Sequence, residues 1–70
     1  MIVHSFDREA ASMELTLAEV QTVNNALNEV CNGIHLEGEF ETRMGCTRGE
    51  ARKILTMIND LGYQMQSKER

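Results

Sequence analysis

The chain has no proline, no tryptophan and only three aromatic residues, Phe6, Phe40 and Tyr63. Without proline, nothing forces a kink, and helices stop only where glycine and polar residues stop them. With so few aromatics, the core must be built from leucine, isoleucine and valine and from five methionines, which adapt to their surroundings and specify packing weakly. Cysteine is scarce too. Cys31 and Cys46 do not make the disulfide framework that staples small secreted domains. No apolar run approaches the roughly 20 residues of a membrane span. Met1–Phe6 is too short and too interrupted for a secretory leader, so the expected setting is a reducing cytoplasm with both thiols free. A basic excess is missing as well. Seven Lys and Arg face eleven Asp and Glu, a net charge of −4, which opposes non-specific binding to nucleic acid or anionic membrane.

What is present describes a small helical unit. Seventy residues make one domain with a modest core, a size at which self-association often supplies the missing stability. Two T-x-x-E capping boxes stand out, Thr16 with Glu19 and Thr47 with Glu50. In such a box the hydroxyl and the carboxylate satisfy one another's backbone donors at a helix start. After the first box, Val20, Val23, Leu27, Val30 and Ile34 recur at alternating spacings of three and four, a buried helix stripe. Leu15 and Val20 occupy the positions of a hydrophobic staple, and Asn32-Gly33 supplies a stop. After the second box, Ala51, Ile54, Leu55, Ile58 and Leu61 form the stripe, and Gly62 stands where a C-cap belongs.

The fold class expected is mainly α: two amphipathic helices at about 16–32 and 47–61, joined by a short helix or turn from Glu39 to Met44. The competing picture is α+β, with short strands near 2–6, 35–38 and 63–66, because Leu36 and Phe40 alternate with Glu37, Glu39 and Glu41. The domain organisation expected is a loosely ordered segment 1–14, a helical domain 15–62 and a polar tail 63–70.

Phe40 to Ile54 reads as a limb, a glycine corner at Gly45 and a capped second helix, which resembles a helix-turn-helix. Phe40, Met44, Cys46, Ala51 and Ile54 match its apolar positions. Glu41 departs from the motif, because it stands four residues before the turn glycine, where a small packed residue is usual. On DNA, Thr47, Arg48, Arg52 and Lys53 would face the duplex. Against this, four glutamates offset four Lys and Arg between residues 37 and 53, whereas DNA binders carry a basic excess.

Asn24, Asn25, Asn28 and Asn32 crowd the first helix, although asparagine is a poor helix former. Asn24 flanks the apolar stripe and is placed to bond across a seam. Cys31, His35, Cys46 and His4 are soft donors without the paired spacing of a zinc site, so no metal or other cofactor is expected. There is no nucleophile elbow, phosphate loop or metal-hydrolase motif, and the fold is too small for much concave surface, so no enzyme is expected. The function expected is protein binding, with a second copy as one partner. Asn24, Leu27, Glu39, Phe40 and Glu41 are the candidate contacts, and the acidic segment would steer a basic partner. A helix-turn-helix or winged-helix DNA-binding regulator is the alternative.

Overall fold

Two threonines set where the long helices begin. The Thr16 hydroxyl accepts the Glu19 N–H at 3.2 Å, and the Glu19 carboxylate accepts the Thr16 N–H at 2.9 Å. Thr47 and Glu50 repeat the arrangement at 3.1 and 2.8 Å. In the computed structural model, which describes residues 1–33 and 39–68, these caps start α1 (Leu17–Asn28) and α3 (Arg48–Ser67). Between them α2 (Phe40–Met44) ends at Gly45, whose φ of 74° lies in the left-handed region that glycine adopts without penalty. Its N–H donates to the Glu41 carbonyl at 2.9 Å. The protein is thus mainly α, with a helix-turn-helix-like corner and a short two-stranded sheet.

Several boundaries differ from the sequence reading. The first helix does not run regularly to residue 32. Beyond Asn28 it widens into a π-helical turn, Glu29–Gly33, a rare form that occurs mostly as single turns. Gly62 does not cap the last helix, which continues to Ser67. Tyr63 and Met65 are therefore helical, and neither a strand at 63–66 nor a separate tail from residue 63 exists. The glycine is tolerated because α1 lies close. A Cβ at position 62 would stand 3.7 Å from Val20 Cγ1. That is ordinary contact distance, so Gly62→Ala is expected to gain about 1 kcal/mol from helix propensity. In a chain of this size that raises the melting temperature by about 4–8 °C. A lowered melting temperature would mean that the methyl group forces the helices apart.

Residues 1–14 are not a loose lead-in. They form an antiparallel hairpin of β1 (Ile2–Phe6) and β2 (Ala11–Glu14), with Val3 opposite Met13 and Phe6 opposite Ala11. The register slips between Val3 and Ser5. So the strand expected at 2–6 exists, but its partner is 11–14. The strand considered at 35–38 lies outside the described residues. Asp7 closes the turn by accepting the N–H groups of Glu9 and Ala10 at 2.8 and 2.9 Å. Those bonds favour the charged form and hold its carboxyl below the ordinary value. The hairpin is tied to α1 by the Met1 ammonium, 2.8 Å from Glu19. That contact, with the Thr16 N–H, holds the Glu19 carboxyl down at about 2.

The core sits where α1 ends and α3 begins. Cys31, Phe40 and Ala51 are buried together, with Val30, Met44, Cys46 and Leu55 packed against them. Val20 is buried at the other end of the antiparallel α1–α3 pair, opposite Gly62.

Candidate functional site

The residues proposed for DNA contact divide sharply. Thr47 is spent on the helix cap. Arg48 turns inward: its Nη1 donates to the Cys31 carbonyl at 3.1 Å, and its guanidinium lies 4.4 Å from the centre of the Phe40 ring. Arg52 reaches the same carbonyl from Nη2 at 3.5 Å. The physical reason is the π-helical end of α1. It leaves carbonyls without intrahelical partners and carries the negative end of the helix dipole. A cation in the first turn of α3 opposes its own helix dipole, but here it is placed against the opposite pole of α1. Lys53 is exposed.

The candidate protein contacts divide too. Phe40 is only 6% exposed and carries the core, so it does not present itself to a partner. Glu39 is exposed and pairs with Arg43 across one turn at 3.4 Å. Glu41 is also exposed, so its carboxylate points away from the corner and does not disturb the packing position the sequence assigned it. Leu27 is half-buried. Asn28 and Asn32 bond one another at 3.0 Å.

Asn24 stands apart. Its Oδ1 is sealed from solvent and has no donor within hydrogen-bond distance among the described residues. It stands in a furrow running along one side of the α1–α3 pair, with cavities of about 220 and 290 Å3 that share Asn24 and Asn59. Gln21, Asn24 and Asn28 form the α1 wall, and Asn59, Tyr63 and Gln66 much of the α3 wall. Val20, Leu55, Ile58 and Gly62 supply the apolar surface between them. No Asp, Glu, Lys or Arg lines either half.

The opposite flank of α3 is apolar. At 3.6 residues per turn, Ile54, Met57 and Leu61 fall about half a turn of the helix circle away from Asn59, Tyr63 and Gln66. All three are exposed, Met57 to 72%. The same period puts half-buried Val23 and Leu27 of α1 on that flank. Ile2, Val3, Phe6 and Met13 of the hairpin are exposed as well, Phe6 to 79%. The sequence reading placed Ile54 and Leu61 in the core stripe. It missed that α3 carries a wider apolar arc than one partner helix can cover.

Among the described residues no group of three or more His, Cys, Asp or Glu is placed to hold a metal ion. Cys31 and Cys46 are free thiols, one buried and one half-buried, and His35 lies outside the described residues. No helix among the described residues is long and apolar enough to cross a membrane. Comparison with protein-family models, with curated proteins and with solved structures found no match to this chain.

Proposed function

We propose that this chain is a small, non-enzymatic interaction module that binds protein through its uncovered apolar surface, and that a second copy of itself is its first partner. The observation that carries this reading is surface in excess. The chain exposes 5792 Å2, whereas a compact monomer of its 7.9 kDa mass would expose about 4,400 Å2. Its radius of gyration is 13.8 Å against about 11 Å for a compact chain of this length. The surplus, about 1,400 Å2 by that scaling, is more than a standard interface removes, about 800 Å2 from each partner.

The chemistry of that surface agrees. Ile54, Met57 and Leu61 on α3 and Ile2, Val3 and Phe6 on the hairpin are exposed, while few side chains are fully buried. A two-stranded hairpin with every side chain exposed is marginal in water by itself and gains by being covered. The DNA-binding alternative draws less support, because Arg48 is held inward by the Cys31 carbonyl and the Phe40 ring, and exposed Arg52 reaches toward the same carbonyl. Of the four side chains that reading needs, Arg48 is the one drawn inward, and Thr47 is committed to the helix cap. A cytoplasmic setting fits two thiols that form no disulfide.

Sedimentation across protein concentration tests the proposal. The mass is expected to rise from 7.9 kDa toward twice that value. Met57→Glu combined with Ile54→Glu should return it to the monomer without altering helix content. A monomer at every concentration up to about 1 mM, where only the weakest associations escape detection, would remove self-association from the reading.

A further inference from the structure

In a regular strand Val3 and Phe6 would point to opposite faces, because side chains alternate. The register of the hairpin slips between Val3 and Ser5 and leaves His4 as an extra residue, a β-bulge. Val3 stands opposite Met13 on one side of the slip, and Phe6 stands opposite Ala11 on the other. Residues directly opposite share a face, and Ala11 and Met13 are two apart on β2. Val3, Phe6, Ala11 and Met13 therefore lie on one face. The other face carries Ile2 with Glu14 and Ser5 with Ser12. The bulge thus gathers an apolar face that regular alternation would have divided, yet within its own chain that face covers nothing. All four side chains are exposed, Phe6 to 79%. The open end of the hairpin has little slack with which to turn inward. Leu15 alone separates β2 from the Thr16 cap, and the Met1 ammonium before β1 is held 2.8 Å from Glu19, one turn further on.

We infer that in the self-associated form proposed above, on which this inference rests, the apolar face of each hairpin covers the Ile54–Met57–Leu61 flank of the other copy's α3. The exchange is reciprocal about a two-fold axis, the usual symmetry of a homodimer. The areas favour this pairing over either patch meeting its own copy. Taking about 200 Å2 for a fully exposed large side chain, the hairpin face offers about 350 Å2 and the α3 flank about 300 Å2. Either patch against its own copy would bury less than half of the about 800 Å2 that each partner gives to a standard interface. Both patches together come close to it. The lengths agree as well. β1 spans about 13 Å from Ile2 to Phe6 at 3.3 Å per residue, and Ile54 to Leu61 spans about 10 Å at 1.5 Å per residue.

Trans-complementation tests the exchange. Phe6→Ser in one chain, and Ile54→Glu with Met57→Glu in another, should each weaken dimerisation about thirtyfold or more, the effect of losing a hot-spot side chain. Helix content should not change, because these side chains are exposed. An equimolar mixture of the two variants regains one intact contact, an unaltered hairpin on an unaltered flank. It should dimerise at least about tenfold more tightly than either variant alone, as sedimentation reads it. In the parent, a mixture of 13C-labelled and unlabelled chains should show NOEs between chains that join Val3, Phe6 and Met13 to Ile54, Met57 and Leu61. A variant mixture as weak as its components would overturn the exchange and leave self-association standing. So would a Phe6→Ser chain that dimerises like the parent, which makes the interface flank on flank. An α3 variant that does so makes it hairpin on hairpin. NOEs found only within one chain would mean that the hairpin covers its own helix. A parent that stays monomeric up to about 1 mM removes self-association and the exchange with it.

Discussion

Replacing Phe40 by alanine is expected to remove about 3–4 kcal/mol of stability, the cost of deleting a well-buried phenylalanine. For a chain of 70 residues the whole margin is of the order of 4–10 kcal/mol. The variant should therefore lose its cooperative thermal transition, or melt some 15 °C or more below the parent. The reason is local. Phe40 is the one large aromatic side chain in the buried cluster with Cys31 and Ala51, and its ring also receives the Arg48 guanidinium. Phe40→Leu keeps most of the volume and should cost much less, about 1–1.5 kcal/mol. Circular dichroism melting of both variants measures this. A loss under about 1 kcal/mol for Phe40→Ala would mean that the core is not centred on this ring. Because Phe40 was also a candidate partner contact, the outcome has a functional side. A side chain whose loss unfolds the chain cannot be scored as an interface residue from lost binding alone.

Arg48→Ala is expected to cost about 2–3 kcal/mol. A hydrogen bond from a charged donor contributes about 1.5–3 kcal/mol, and a cation over an aromatic face adds about 0.5–1 kcal/mol when partly exposed. Removing Arg48 from the first turn of α3 returns a few tenths through that helix's own dipole. Arg48→Lys should recover less than half of the loss, because an ammonium cannot both stack on the Phe40 ring and reach the Cys31 carbonyl as a planar fork does. A double-mutant cycle with Phe40→Leu isolates the stacking contribution. The same variant separates the two functional readings. If Arg48 served a nucleic-acid surface, alanine would leave stability unchanged and flatten the salt dependence of duplex binding. If it anchors α1 to α3, stability falls and no duplex binding is there to lose.

How far the sequence could be read depends on the range of the forces involved. The two capping boxes were legible because each closes within four residues, and both formed as the pattern requires. Gly45 was legible for the same reason: a left-handed turn after an apolar limb is a local demand. Gly62 misled, because a glycine after an apolar stripe is a local sign of an ending. What overrode it was Val20, more than forty positions away. Of the hairpin, the strand at 2–6 was one of the readings considered, but its partner at 11–14 was hidden because Ala11–Glu14 is too short for a pattern to show. Only its turn, closed by Asp7, carries a local signature. Arg48 looked outward because its targets, the Cys31 carbonyl and the Phe40 ring, are distant or main-chain atoms that no spacing rule names.

The candidate site divides along the same line. Asn24 was singled out as an asparagine beside a helix stripe, a reading available from periodicity alone. That its oxygen is sealed, and that Asn59 and Gln66 of another helix converge on the same furrow, depends on how α1 and α3 lie against one another. By itself, then, the sequence determined a mainly helical chain, the starts of both long helices, the left-handed corner at Gly45 and a net charge unsuited to non-specific DNA binding. Each of these follows from neighbours within about one helical turn, or from composition. Only the tertiary structure decided that the last helix runs on to Ser67, that two arginines are turned onto the end of α1, and that an uncharged furrow and an exposed apolar flank lie on opposite sides of one helix pair. Those outcomes rest on contacts between residues far apart in the chain, where packing geometry outweighs local preference.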